Sequence, residues 1–249
     1  MPAYGTYLQL PALLDHQRPH ADADGHDEHM FITVHQVFEL LFKQLLLELS
    51  DARDRMLAGE AYLPRRRLER AVVIQRSLLA QFDVLDTMEP QDFAAFRGAL
   101  GSGNGGQSAQ YWELALLSGA RDDSCLDRPW YTVQECSRLR RRYEEPSLWD
   151  GFLALLADAG FDVATTARRA AACRRLAART DQHRQLWDLA EALVAHDQSW
   201  ASWQSRHLLT VQRQIGRKSG TGGTSGAAHL RSHLDKRFYP ELWELRAAL

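Results

Sequence analysis

Cysteine is scarce in this chain of 249 residues: Cys125, Cys136 and Cys173 are odd in number and widely spaced. They form no CxxC pair, so reduced thiols in a cytoplasmic protein are expected. An excess of charge of one sign is also lacking. The formal net charge of −2, with charged residues at 25%, argues against broad binding to nucleic acid or to a membrane surface. No apolar run reads as long enough to span a bilayer. The N-terminus, MPAYGTYLQL, has neither the basic segment nor the long apolar core of a secretion signal. There is no HExxH. The glycine loop near the C-terminus, Gly220 to Gly226, is neither followed by GK[ST] nor preceded by a strand, which removes the Walker and dinucleotide readings. Strand-like alternation never holds for more than a few residues, no repeat is present, and no linker marks a domain boundary.

What is there is helical periodicity. Residues 1–20 form an arm carrying Tyr4, Tyr7 and Leu8, followed by a loop over Asp22 to Asp27 in which Asp24 or Asp27 can cap a helix. The most apolar helix is expected over Met30–Met56, with Phe31, Phe38, Phe42, Leu45 and Leu49 on one face. Further helices are expected over 64–88, 91–100, 107–117, 147–160, 163–179, 181–216, 227–238 and 240–249. Residues 120–146 read as an irregular excursion. The expectation is a single all-α domain over residues 1–249, built as a helical bundle.

Two histidines stand among apolar residues at helical spacing. His35 lies between Phe31 and Phe38; His207 shares a face with Leu193, Trp200, Trp203 and Val211. Each can be a satisfied core residue. The sharper readings are a polar handle in an apolar pocket for His35 and a metal ligand for His207, since haem iron is often held by one imidazole on a helix. Together they would suit a flat apolar cofactor between helices. His196 lies on nearly the same face as His207, which leaves a non-haem site open, although no second acidic or cysteine ligand stands at metal spacing. The loop from Gly220 to Gly226, GTGGTSG, is either a surface turn or a mobile lid whose amides and Thr221 hydroxyl meet a polar ligand.

Five segments resemble the tryptophan 2,3-dioxygenase family, in family order and over nearly the whole chain, with the middle third matching poorly. HDEHMFITVHQVFELLFKQLLLEL from His26 resembles the haem-pocket helix, and YGTYLQL from Tyr4 the N-terminal arm. FRGALGSGNGGQSAQYW from Phe96 resembles FRxxLGxxSGFQSxQxR. RHLLTVQRQIGRKSGTGGTSG resembles the proximal helix and substrate lid, and FYPELWELR the closing FFPELWxxR.

The resemblance implies haem b bound through its iron to His207, O2 as co-substrate and an indole as substrate. It places His35 against the indole nitrogen, Phe31 on the indole ring and Thr221 at the amino-acid end. It implies a homotetramer in which Tyr4, Tyr7 and Leu8 cover a neighbour's site. One departure stands out: where the motif has an arginine, taken to pair with the substrate carboxylate, this chain has Trp112, and Gly106 replaces the motif's aromatic. The leading expectation is therefore a haem-dependent oxygenase that inserts one or two oxygen atoms from O2 into the indole C2–C3 bond of tryptophan or a tryptophan-derived indole. The altered anchor points to a modified or decarboxylated tryptophan or an indole intermediate rather than free L-tryptophan. Two alternatives stand beside it. One is ordinary L-tryptophan dioxygenation, with Arg97, Arg217 or Lys218 replacing the lost cation; the other is a haem sensor without turnover.

Overall fold

In a computed structural model, which describes residues 1–20, 26–221 and 225–248, every regular element among the described residues is helical. Two single-turn helices, α1 (Tyr4–Tyr7) and α2 (Leu10–Leu13), form the arm and bury nothing of their own. Then comes α3 (His26–Leu57), a rod of 32 residues, or ~48 Å at 1.5 Å per residue. Its buried stripe is Val34, Phe38, Phe42, Leu45, Leu49, Ala52 and Met56. Those steps of three and four keep the side chains on one face. Asp27 and Glu28 occupy its first turn, where negative charge suits the helix dipole. Asp24, the other expected cap, lies outside the described residues.

This helix corrects one expectation. An 18-residue window of α3 has a mean hydropathy of 1.3 and is long and apolar enough to cross a membrane by length and composition alone. Its apolar stripe is used in the core, against α4 (Tyr62–Leu85), α6 (Ala109–Ser118) and α8 (Leu148–Asp158). The α8 approach is close: a Cβ on Gly151 would stand 3.1 Å from the Cβ of Met56.

Between α4 and α6, the short α5 (Pro90–Arg97) starts on its proline and passes into a 3-10 turn, Gly98–Leu100. The expected irregular excursion over 120–146 contains a helix, α7 (Val133–Glu144). Its start is a capping box, with Thr132 accepting from the Glu135 amide and Glu135 accepting from Thr132. Only Leu139 of α7 is buried, so no apolar stripe announces it. Next, α9 (Thr166–Ala177) leads to the second 32-residue rod, α10 (Arg184–Ile215), which packs mainly on α4 and ends at Gly216 with φ +58°. The chain closes with α11 (Ala227–Arg231), shorter than expected, and α12 (Pro240–Glu244).

Two buried polar side chains in the middle of α10 lock neighbours to it. The His196 ring meets Ser118 Oγ at 2.9 Å and Gln75 Oε1 at 3.3 Å, tying α10 to α6 and α4. Asp197 Oδ2 accepts from the Phe238 and Tyr239 amides and from Trp243 Nε1, at 2.9, 3.3 and 2.9 Å. The FYPELW segment is thereby hung on the same rod that carries His207.

Candidate active site

The inner ends of α3, α4, α5, α6 and α10 enclose a cavity of about 1170 Å³, roofed by the 101–106 loop and the segment around Thr221. Ordinary small-ligand pockets span ~300–1,000 Å³, so this one has room for a large flat group together with a small molecule. Its deep walls are aromatic. Trp203 meets Phe38, Phe42 and Phe82 with ring centroids 5.9, 5.9 and 5.5 Å away, and Tyr111 stacks on Trp200 at 5.1 Å.

His207 projects from α10 into this space, stacked 5.8 Å from Phe82 and 5.3 Å from Trp203. Burial, and secondarily the neighbouring His35, push its pKa down to about 4. The imidazole is thus neutral at pH 7. Neither of its nitrogens is hydrogen-bonded among the described residues, so a lone pair stands available in an apolar cavity, as a residue that would hold iron requires. His196 is the opposite case: both nitrogens are engaged, it does not line the cavity, and burial lowers its pKa to about 4. It is a satisfied core histidine. Among the described residues no three His, Cys, Asp or Glu side chains converge as a non-haem metal centre would need.

His35 faces the same cavity from α3. Its Nδ1 lies 2.7 Å from the Phe31 carbonyl oxygen. A carbonyl only accepts, so Nδ1 carries the proton. Burial holds the pKa below its usual value, against the opposing pull of that bond, and the neutral ring keeps Nε2 as an acceptor. The Phe31 ring lies 4.0 Å from the His35 ring and touches Phe96 and Phe93 at 5.4 and 5.9 Å. A flat aromatic ligand bearing one N–H matches this corner: rings to pack on, and one acceptor.

The roof is latched. Thr221 Oγ1 donates to the Gly103 carbonyl at 2.6 Å, and Asn104 Nδ2 donates to the Thr221 carbonyl at 3.0 Å. Arg97, the last residue of α5, donates to the Ser219 carbonyl. At the far side, a Cβ on Gly226 would come within 2.7 Å of the Lys218 carbonyl oxygen, and its φ of +59° also favours glycine. The lid residues Gly222, Gly223 and Thr224 lie outside the described residues.

Trp112 also lines the cavity, but its indole N–H donates to the Gly106 carbonyl at 3.1 Å and its ring lies 6.2 Å from His233. It packs with the cluster around Cys125 and Leu139 rather than with Phe31. Arg97, by contrast, shares α5 with Phe93 and Phe96, and no carboxylate pairs with it among the described residues. Of the three cations weighed against the loss at Trp112, Arg97 is the one that reaches the cavity wall; Arg217 and Lys218 do not line it. In the arm, Tyr4 and Tyr7 are 76% and 74% exposed, and neither they nor Leu8 line this chain's own cavity.

The profile of the tryptophan 2,3-dioxygenase family matches residues 2–159 and 152–249 of this chain. The chain belongs to that family. A tryptophan 2,3-dioxygenase of a Nocardioides strain is 48% identical over 251 residues, covering 99% of this chain and 94% of the relative. Those of Herpetosiphon aurantiacus and Anaeromyxobacter dehalogenans are each 38% identical, covering 99% of this chain and 98% and 96% of theirs. The protein is therefore a haem-dependent oxidoreductase of tryptophan dioxygenase type. Sequence reasoning brought His35, Phe31, His207 and Thr221 to one cavity. It gave no aim to Arg97: the FR pair opens a family-like segment, but only the placement of α5 turns that residue under the lid. It also missed Asn104, which stands inside a glycine-rich run and reads as a turn residue.

Proposed function

We propose that this enzyme acts on free L-tryptophan, inserting both atoms of O2 across the indole C2–C3 bond to give N-formylkynurenine. The observation that carries this reading is Arg97: an arginine on the cavity wall with no acidic partner among the described residues, on the same short helix as the rings that pack on Phe31. A carboxylate in an apolar cavity needs such a partner, and a guanidinium fork suits it. The replacement at Trp112 favoured an indole without a carboxylate because no spacing aimed another cation at the pocket; Arg97 on the cavity wall supports the carboxylate-bearing substrate.

His207 would hold haem b, which supplies the iron that activates O2. The chain's own residues do the rest. Phe31 gives the indole a face to pack on. His35 Nε2 accepts the indole N–H and so orients the ring without removing a proton. Thr221 has its one proton on the Gly103 carbonyl, so toward a ligand its hydroxyl only accepts, which suits an ammonium. Aromatic walls exclude water. The exposed Tyr4, Tyr7 and Leu8 supply the cover of a neighbour's cavity in a homotetramer, and three free thiols suit the reducing cytoplasm.

The test replaces Arg97 with glutamine. A charge-assisted hydrogen bond contributes ~1.5–3 kcal/mol, so kcat/KM for L-tryptophan should fall about tenfold or more, while turnover of tryptamine changes little. The wild-type product should weigh two oxygen atoms more than L-tryptophan. A product with one added oxygen, or an Arg97→Gln enzyme that keeps its preference while Trp112→Arg gains one for L-tryptophan, would return the carboxylate-free indole to first place.

A further inference from the structure

The cavity has a second end, away from Phe31 and His35, that the reading above does not use. It is built by residues 124–131 and by α11 with the turn after it: Arg128, Tyr131, His229 and His233 all line it. Every one of these side chains can donate a hydrogen bond, and each lacks an acceptor. The Tyr131 hydroxyl is buried and its proton has no acceptor among the described residues; the Trp130 indole can only donate to its oxygen. Arg128 lies over the Trp130 ring, 5.8 Å from its centroid, and makes no ion pair among the described residues. That is unusual for its surroundings, where Arg121, Arg138, Arg140 and Arg142 each hold a carboxylate. The His229 and His233 rings stand 5.0 Å apart, and neither ring donates a hydrogen bond among the described residues. The acidic group that acts on His233 is Asp122, which lies 3.7 Å from Lys236.

A set of donors without acceptors is a site for an anion. Its position narrows the choice. The deep part of the cavity is aromatic and ends at His207, whereas Arg128 and His229 are exposed at the mouth. A ligand that spans both ends is flat and apolar over most of its surface and carries its negative charges along one edge. Haem b has that shape, with an apolar macrocycle and two carboxylates on one side. Resting on the assignment of His207 as the iron ligand, we infer that Arg128, Tyr131, His229 and His233 receive the carboxylate edge of the haem. Trp112, T-shaped against His233, gives the macrocycle an apolar edge to lie on beside them. Arg97 and Arg128, the two arginines of the cavity wall, then serve different carboxylates, one from the substrate and one from the prosthetic group.

The test uses holoprotein and reads haem release to an excess of a haem scavenger, followed at the Soret band. The variants are Tyr131→Phe and the combined Arg128→Gln, His229→Gln, His233→Gln; three of the four positions are at the surface or the mouth, so the fold is spared, and circular dichroism checks this. Release from the combined variant should be about tenfold faster or more, equivalent to ~1.4 kcal/mol, and Tyr131→Phe should speed it a few-fold. Protein reconstituted with haem dimethyl ester, which lacks the charges, should release it at the same rate in wild type and variants. Equal release of haem b from wild type and the combined variant overturns the inference, as does a variant that speeds loss of the ester as much as loss of haem b. His207→Ala separates the two layers of the argument. Loss of stable haem binding there, with unchanged release in the combined variant, rejects the carboxylate site and leaves the iron ligand standing. Retention of haem with an unchanged spectrum rejects the ligand and this inference together.

Discussion

His35 illustrates how one backbone contact sets the chemistry of a side chain. Its Nδ1 is tied to the carbonyl of Phe31, one turn earlier on α3, so the ring's rotation and tautomer follow from the helix itself. What remains is a single acceptor aimed into an apolar space. A neutral hydrogen bond is worth about 1 kcal/mol, so His35→Ala should lower kcat/KM for L-tryptophan by roughly fivefold and leave haem content unchanged. 1-Methyltryptophan, which has no indole N–H, should be nearly insensitive to the change. Loss of haem from the variant would instead make His35 a ligand. Burial alone did not distinguish the histidines: His196 and His207 lie on one helix, and both are pushed down to about 4 by burial. The difference lies in partners, since Ser118 and Gln75 satisfy one ring and no hydrogen bond satisfies the other.

At the scale of elements, the roof over the cavity consists of two weak pieces that hold each other. The 101–106 loop and the 219–221 strip have no helix of their own to stiffen them beyond 3-10 turns, and Asn104, Thr221 and Arg97 supply the bonds between them. Asn104→Ala removes the bond to the Thr221 backbone, together with the Asn104 bonds to the Ser102 carbonyl and the Gly106 amide that shape the 101–106 loop. Cleavage by trypsin at Arg217 and Lys218 should become several-fold faster, and KM for L-tryptophan should rise, with the haem spectrum unchanged; equal cleavage rates would show that the latch does not restrain the lid. The elements themselves were largely legible in the sequence. The stripes on α3 and α10 and the prolines opening α5 and α12 are local signals. The helix α7 was not legible, because its basic run is matched to carboxylates both outside it, Glu113 and Asp127, and at its own C-cap, Glu145, and only Leu139 marks an inner face. For the same reason the site was half visible. His35 and His207 sit on periodic helices, but which arginine reaches the cavity depends on where α5 turns, and no spacing rule carries that.

At the scale of the whole molecule, the arm stays outside the core of its own chain. Tyr4 and Tyr7 are large rings left in solvent, an arrangement that a partner surface would stabilise by ~25 cal/mol per Å² of apolar area covered. Removing residues 1–8 should lower activity more than it lowers haem content, and light scattering should report a tetramer for the full chain. A fully active monomer without the arm would contradict the shared-site assembly. Within one chain, the two histidines stand on different rods, α3 and α10, and α4 lies between them. One ring of α4, Phe82, touches Phe38, Trp203 and His207 together and is almost wholly buried. That ring acts as a gauge block: its thickness sets how far apart the walls of the reaction chamber stand. Any substitution there is read twice, once in the free energy of unfolding and once in the gap the chemistry has to cross. Robustness and turnover are therefore not independent quantities in this architecture, and a change selected for one at Phe82 alters the other.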